Sequence, residues 1–211
     1  MNKSYDSVKD FLIGKGLKKE DIESASAQMF SGYKRVRRLE GALPTKVKAY
    51  RGRGNESADI LVISDHPDKH EQQTGLVGFS DYPILLTLFF NRLAIDFGEV
   101  YWTTAIKHVP ERVNMSLIKS EFEYLKQEID VINPAVIIAL GTTPISSLAG
   151  EAIKIDKALG REFSYDIHDS LPSIPVIPIR HPRTFLDMDE DEFRLAIKET
   201  WQSIKSIDEL L

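Results

Sequence analysis

The sequence predicts an α/β protein, a three-layer sandwich whose central sheet is mostly parallel and four-stranded. Three observations carry this. Four short apolar runs rich in β-branched residues (58–63, 100–104, 135–140 and 174–179) are separated by segments of helical periodicity. Continuous rather than alternating apolar runs suit strands buried on both faces, and strands that alternate with helices build parallel sheets covered on both sides. A chain of 211 residues, 42% hydrophobic and 28% charged, buries such a core without disulfide staples.

The elements follow in order. Val8, Phe11 and Leu12 share one helical face, and Gly14 and Gly16 end it. A second helix is expected over Lys19–Phe30. The run 58–63 is the first buried strand, and a polar loop and a helix over Tyr82–Phe97 follow it. The second strand, Val100–Thr104, leads to an amphipathic helix over Ser116–Val131 with Ser116 as its cap. The third strand, 135–140, ends at Gly141 before a short helix over Pro144–Leu148. Pro175 and Pro178 place the fourth extended segment at an edge or in ragged pairing. Asp191–Ile204 is the last helix. Residues 1–45 read as a helical N-terminal extension and 46–211 as the α/β domain.

Composition narrows the chemistry. No cysteine is present, which excludes disulfides, thiolate metal sites and a cysteine nucleophile. No apolar run reaches membrane-spanning length, and MNKSYDSVKD lacks the apolar stretch of a signal peptide. A cytoplasmic monomer is expected. The net charge of −5 alone argues against a polyanion partner. The charge is uneven, however. Lys34, Arg35, Arg37, Arg38, Lys46, Lys48, Arg51 and Arg53 face only Glu40 within residues 34–53, while 187–192 are acidic. The basic strip is a solvated surface or a nucleic-acid contact.

Ligands of parallel sheets bind beyond the carboxyl ends of the strands. The first strand exit carries Asp65, His66, Asp68, His70 and Glu71. The two histidines and Glu71 invite a metal reading, but no H-E-x-x-H pattern exists and Pro67 interrupts a helix there, so no metal is expected. Asp65 either caps a turn or positions water. The last exit, Arg180-His181-Pro182-Arg183-Thr184-Phe185-Leu186, joins a histidine donor to arginines that suit phosphates and a phenylalanine able to wedge into a base stack.

Read together, these segments resemble the uracil-DNA glycosylase superfamily, nearest to its family 4 branch. Residues 64–86 match that branch's first motif without a gap, with Pro67, Glu71, Gly75, Leu85 and Leu86 in register and Asp65 at the acidic position. Tyr101, Thr103, Lys107 and Pro110 match the second, with Thr104 at its asparagine position. Pro134, Ile137, Leu140 and Gly141 match the third, and His181 and Pro182 the closing motif. The resemblance covers about residues 46–186.

The resemblance implies a uracil-DNA glycosylase-like fold and a DNA glycosylase that flips a uracil or modified pyrimidine from single- or double-stranded DNA and hydrolyses its N-glycosidic bond. It makes Asp65 the carboxylate that orients water and His181 the donor to the leaving base. Ser64, His66, Gly78, Phe79 and Thr104 would bind the substrate. Arg180, Arg183, Lys107, Arg51 and Arg53 would hold DNA, with Phe185 filling the vacated stack.

The sequence also departs from the branch. Its iron–sulfur cysteines are absent, with His108 and Glu121 at the two internal positions, so no cofactor is expected. Asp65 stands for a glutamate, Gly78 for a stacking phenylalanine and Thr104 for the uracil-reading asparagine. A hydroxyl is a less directional reader than an amide. Either Gly78 and Thr104 open the pocket to a larger or modified pyrimidine, or catalysis is lost and the protein binds DNA or a partner. An enzyme of free nucleotides lacks support, since neither a P-loop nor a G-x-G-x-x-G turn is present.

Overall fold

The computed structural model describes residues 5–40, 52–74, 77–78, 83–167 and 172–211. Helices α1 (Tyr5–Gly14) and α2 (Lys19–Glu40) precede strand β1 (Arg53–Gly54), then β2 (Ile60–Ser64), α3 (Lys69–Thr74), α4 (Pro83–Arg92), β3 (Tyr101–Thr104), α5 (Met115–Ile132), β4 (Val136–Leu140), α6 (Thr142–Ala149), α7 (Ile155–Ala158), β5 (Phe163–Tyr165), β6 (Ile174–Ile179) and α8 (Glu190–Ile204). The sheet order is β1-β3-β2-β4-β6-β5. The four expected strands run parallel as its centre.

Two antiparallel strands at the edges bring the sheet to six rather than four. At two and three residues, both are too short to show a hydrophobic period. Of the two expectations for β6, the edge position is corrected, since the strand lies inside the sheet with its prolines where pairing is interrupted. Ile179 O accepts from Gly141 N at 2.8 Å, so the odd-numbered residues of β6 turn their peptide groups toward β4. Pro175 then faces β4 before the pairing starts at Val176, and Pro178 faces the β5 side after β5 has ended at Val176. Each missing N–H falls where no ladder bond is needed.

Helix boundaries differ where side-chain caps, not apolar periodicity, decide them. Asn114, rather than Ser116, caps α5 through Leu117 N at 2.9 Å. Helix α4 stops at Arg92, and Asp96 begins a separate 3-10 turn, Phe97–Glu99, by accepting from Gly98 N at 2.8 Å. Helix α2 runs ten residues past Phe30 because Lys, Arg, Leu and Glu sustain a helix without an apolar stripe.

Three apolar layers follow. Met29, Leu86, Phe89, Phe90, Phe97, Trp102 and Ile204 cover one sheet face. Leu125, Ile129 and Ile145, from α5 and α6, cover the other. Val8, Leu12, Ile22 and Ala25 join Ile84, Leu85, Phe193 and Phe185 in a third cluster, which seats α1 and α2 on α4 and α8. Phe185 is fully buried, with its ring edge-on to Phe193 at 6.2 Å. The expectation of an exposed wedge is thereby corrected, because the ring is part of the core. F185A should cost about 3–5 kcal/mol in chemical denaturation, whereas removal of an exposed wedge would leave stability nearly unchanged.

Candidate active site

The parallel sheet brings two distant strand exits together. Asp65 leaves β2 with its carbonyl accepting from Ile106 N at 2.9 Å, directly after Ser64 O accepts from Ala105 N at 2.8 Å. His181 leaves β6 as the cap of a 3-10 turn, Pro182–Asp187. His181 Nε2 lies 3.6 Å from Asp65 Oδ1, and His66 Nε2 lies 3.7 Å from Asp65 Oδ2. Gly141 (φ +89°) makes the sharp exit from β4 beside them, where an added Cβ would come within 3.4 Å of the His181 Cβ.

The protonation state of His181 follows from its contacts. Its Nδ1 accepts from Arg183 N at 3.2 Å, so the ring proton sits on Nε2, toward Asp65. Burial pushes the ring down to about 4; the Asp65 charge opposes this, while Arg183 and His66 reinforce it. At neutral pH the ring is a hydrogen-bond donor rather than a cation. His66 donates from Nδ1 to Pro67 O at 3.0 Å.

The loop between them is organised by a reciprocal cap. Glu71 N donates to Asp68 Oδ1 at 2.7 Å, and Asp68 N to Glu71 Oε2 at 2.8 Å. This capping box is legible as D-x-x-E, yet α3 itself is not foreseen. Glu71 Oε1 accepts from Gly78 N at 2.8 Å, so both carboxylate oxygens are engaged by backbone. Among the described residues, no group of three metal-ligating side chains occurs. Asp68 also meets Arg183 at 3.3 Å, joining the two loops.

Several assignments change. Gly78 does not open the pocket: with φ at +79°, an added Cβ would lie 2.7 Å from Trp102, which fills that space. Lys107 is buried, not a phosphate contact, and its ammonium pairs with Glu128 at 2.5 Å. Arg53 is likewise buried, in β1. Arg180 is held by Asp156 at 2.5 Å and Glu199 at 3.3 Å, so its guanidinium is already engaged. Of the proposed DNA-facing groups, Arg183 keeps substantial exposure, 40% of its side chain. Ser64 and Thr104 are register partners, both buried, and neither hydroxyl has a hydrogen-bond partner among the described residues. Phe79, Gly75, Lys46, Lys48 and Arg51 lie outside the described residues, as do the side chains of Lys34, Arg35, Arg37 and Arg38.

A cysteine-held cluster needs thiolates. With no cysteine in the chain, and with His108 and Glu121 3.7 Å apart at the two internal positions, the residues present do not fit one. Glu121 also accepts from Lys107 N at 3.1 Å.

A mostly parallel sheet whose strand exits bring a carboxylate beside a histidine defines an α/β protein with paired ionisable groups at the carboxyl end of its sheet. The family model of the Uracil DNA glycosylase superfamily matches residues 51–205, and the chain belongs to that superfamily. Its relatives include a type-4 uracil-DNA glycosylase of Thermotoga maritima, 28% identical over 74% of this chain and 80% of that protein. A type-4 uracil-DNA glycosylase of Archaeoglobus fulgidus is 27% identical over 79% of this chain and 83% of that protein. A DNA polymerase of Bacillus phage SP01 is 27% identical over 66% of this chain, a stretch that is 15% of the polymerase. Among the described residues, no helix is long and apolar enough to cross a membrane.

The site makes one pH-dependent statement about stability. Burial, reinforced by the Asp68 charge, pushes the Glu71 carboxyl up from 4.5 to about 7, against the pull of two backbone N–H groups and Arg183. The folded state therefore holds this proton more tightly than the unfolded chain. Glu71 favours folding most below 4.5, and that contribution is lost as pH rises through about 7. The melting temperature of E71Q relative to the parent should thus increase steadily across this interval.

Proposed function

We propose that this protein is a DNA glycosylase that hydrolyses the N-glycosidic bond of a flipped-out uracil or modified pyrimidine in DNA, without a cofactor. The observation that carries the reading is the 3.6 Å approach of His181 Nε2 to Asp65 Oδ1, from strand exits 116 positions apart in the chain (181 − 65). A carboxylate and a neutral donor this close present both groups to one side of a sugar–base bond.

The chemistry runs as follows. The C1′–N bond breaks and its electron pair leaves with the base. His181 donates its Nε2 hydrogen bond to the developing base anion, and the Asp65 charge stabilises the cationic sugar. Water, oriented by Asp65, forms the new C1′–O bond and gives a proton to that carboxylate, while the departing base takes one from solvent. Because His181 is neutral above about pH 4, it acts as a hydrogen-bond donor and not as an acid. Arg183, beside both loops, would meet a phosphate. The Ser64 and Thr104 hydroxyls would contact the base.

The test is base release from oligonucleotides carrying uracil, hydroxymethyluracil, hypoxanthine or modified cytosines, read as alkali-labile abasic sites. Release from at least one is expected. D65A and H181A should each lower the rate by roughly 100-fold or more, and the rate should show no inflection from His181 between roughly pH 5.5 and 8. Robust release by the D65A/H181A double variant would overturn the assignment of roles. Salt-dependent DNA binding with no release from any substrate would instead identify a catalytically silent DNA-binding homologue.

A further inference from the structure

Lys107 occupies a position that the DNA-contact assignment does not explain. Its ammonium is buried and spends all three protons internally, on Thr103 Oγ1 and Thr104 O, both at 2.7 Å, and on Glu128 Oε2 at 2.5 Å. Glu128 in turn accepts from the Thr103 hydroxyl and, through Oε1, from Gly52 N at 2.7 Å. Its carboxylate therefore ties α5 to the exit of β3 and to the residue before β1. Nothing in this arrangement leaves a charge for a phosphate.

The turn that Lys107 clamps is the one that holds Asp65. The ammonium fixes Thr104 O, and the next two backbone groups, Ala105 N and Ile106 N, hold Ser64 O and Asp65 O. On the far side of the turn, Lys107 N is anchored to Glu121 Oε2 at 3.1 Å. A shift in residues 104–107 therefore displaces the Asp65 backbone directly, and with it the carboxylate facing His181. We infer that Lys107 and Glu128 are positioning residues for Asp65, a buried ion pair that sets where its carboxylate stands. This rests on the reading of Asp65 as the carboxylate beside the sugar. Errors of about 1 Å in such placement cost on the order of 100-fold in rate.

A structural role alone would be met by any well-packed pair, since apolar side chains of similar volume often replace a buried ion pair without loss of stability. The experiment therefore compares K107M with K107M/E128L in the full-length protein. The double variant should melt above K107M, short of the parent because Gly52 N and the Thr103 hydroxyl lose their acceptor, yet release base about 10–100-fold more slowly than the parent. The fall should lie in kcat, with DNA affinity and its salt slope unchanged. A second readout needs no catalysis. The groups facing His181 are Asp65, His66, Asp68 and Arg183, and Asp65 is the nearest anion, raising the pKa of the ring. In ring-resolved NMR titrations, the His181 midpoint should move down in both K107M variants, in the same direction as in D65N.

A salt slope reduced by about one unit in K107M would restore the phosphate contact and overturn the inference. So would full recovery of kcat in the double variant, or a His181 midpoint that D65N moves and both Lys107 variants leave in place. If the parent releases no base from any oligonucleotide, the glycosylase reading fails and the titrations alone decide the positioning role. If K107M does not fold, the double variant carries both readouts.

Discussion

The parallel pairing of β2 with β3 and β4 is the constraint on which the rest depends. Register places Ser64 beside Thr104 and Ile63 beside Ala139, and β4 in turn carries β6 with Leu140 beside Ile179. Four chain segments therefore reach the same end of the sheet at nearly the same level. The ladder continues past the strands, since Ala105 and Ile106 bond the carbonyls of Ser64 and Asp65. A loop carboxylate thus inherits the precision of a sheet. A side chain on an untethered loop would lack it, because loops without ladder bonds are free to move.

Burial then converts placement into chemistry. His181, Glu71 and Lys107 are all ionisable and almost fully enclosed, and in each the neutral form is favoured by desolvation. The outcomes differ because their partners differ. His181 faces Asp65 and Asp68 on one side and Arg183 and His66 on the other, and burial decides in favour of a neutral donor. Glu71 has two backbone N–H groups and Arg183 in its favour, but burial and the Asp68 charge outweigh them, so its proton leaves late. Lys107 has Glu128 in direct contact, and its three hydrogen bonds offset part of the cost of enclosing its charge. The same low-dielectric setting makes a donor, a cap and a clamp.

Much of this was legible in the sequence, and the pattern of what was not has a physical basis. The four central strands announce themselves because burial on both faces demands unbroken apolar runs. Asp65 and His181 stand at their exits, where a parallel sheet collects ligands. The short edge strands carry no period, and the sheet tolerates Pro175 and Pro178 only through the alternation of peptide direction along β6, which composition does not display. Surface assignments fared worst. Lys107 and Arg53 count as basic residues in any charge tally, and Phe185 looks like a free aromatic beside a histidine, but tertiary packing encloses all three. Glu128 carried no sequence signal, because its role depends on contacts with β3 and with Gly52, which are distant in the chain.

The missing cysteines take on a different meaning beside the Lys107 turn. At two positions where the related branch places thiolates, this chain has His108 and Glu121, whose side chains meet while Glu121 also accepts the backbone N–H of Lys107. That contact anchors one end of the turn whose other end Lys107 clamps through Thr104 O. Polar contacts from α5, with Glu121 on one turn of the helix and Glu128 two turns further along, thereby grip both ends of residues 104–107. A hydrogen bond made by a carboxylate contributes about 1.5–3 kcal/mol, and several acting on one short turn restrain it without any metal. The turn is worth restraining because it carries Ile106 N, the group that holds Asp65.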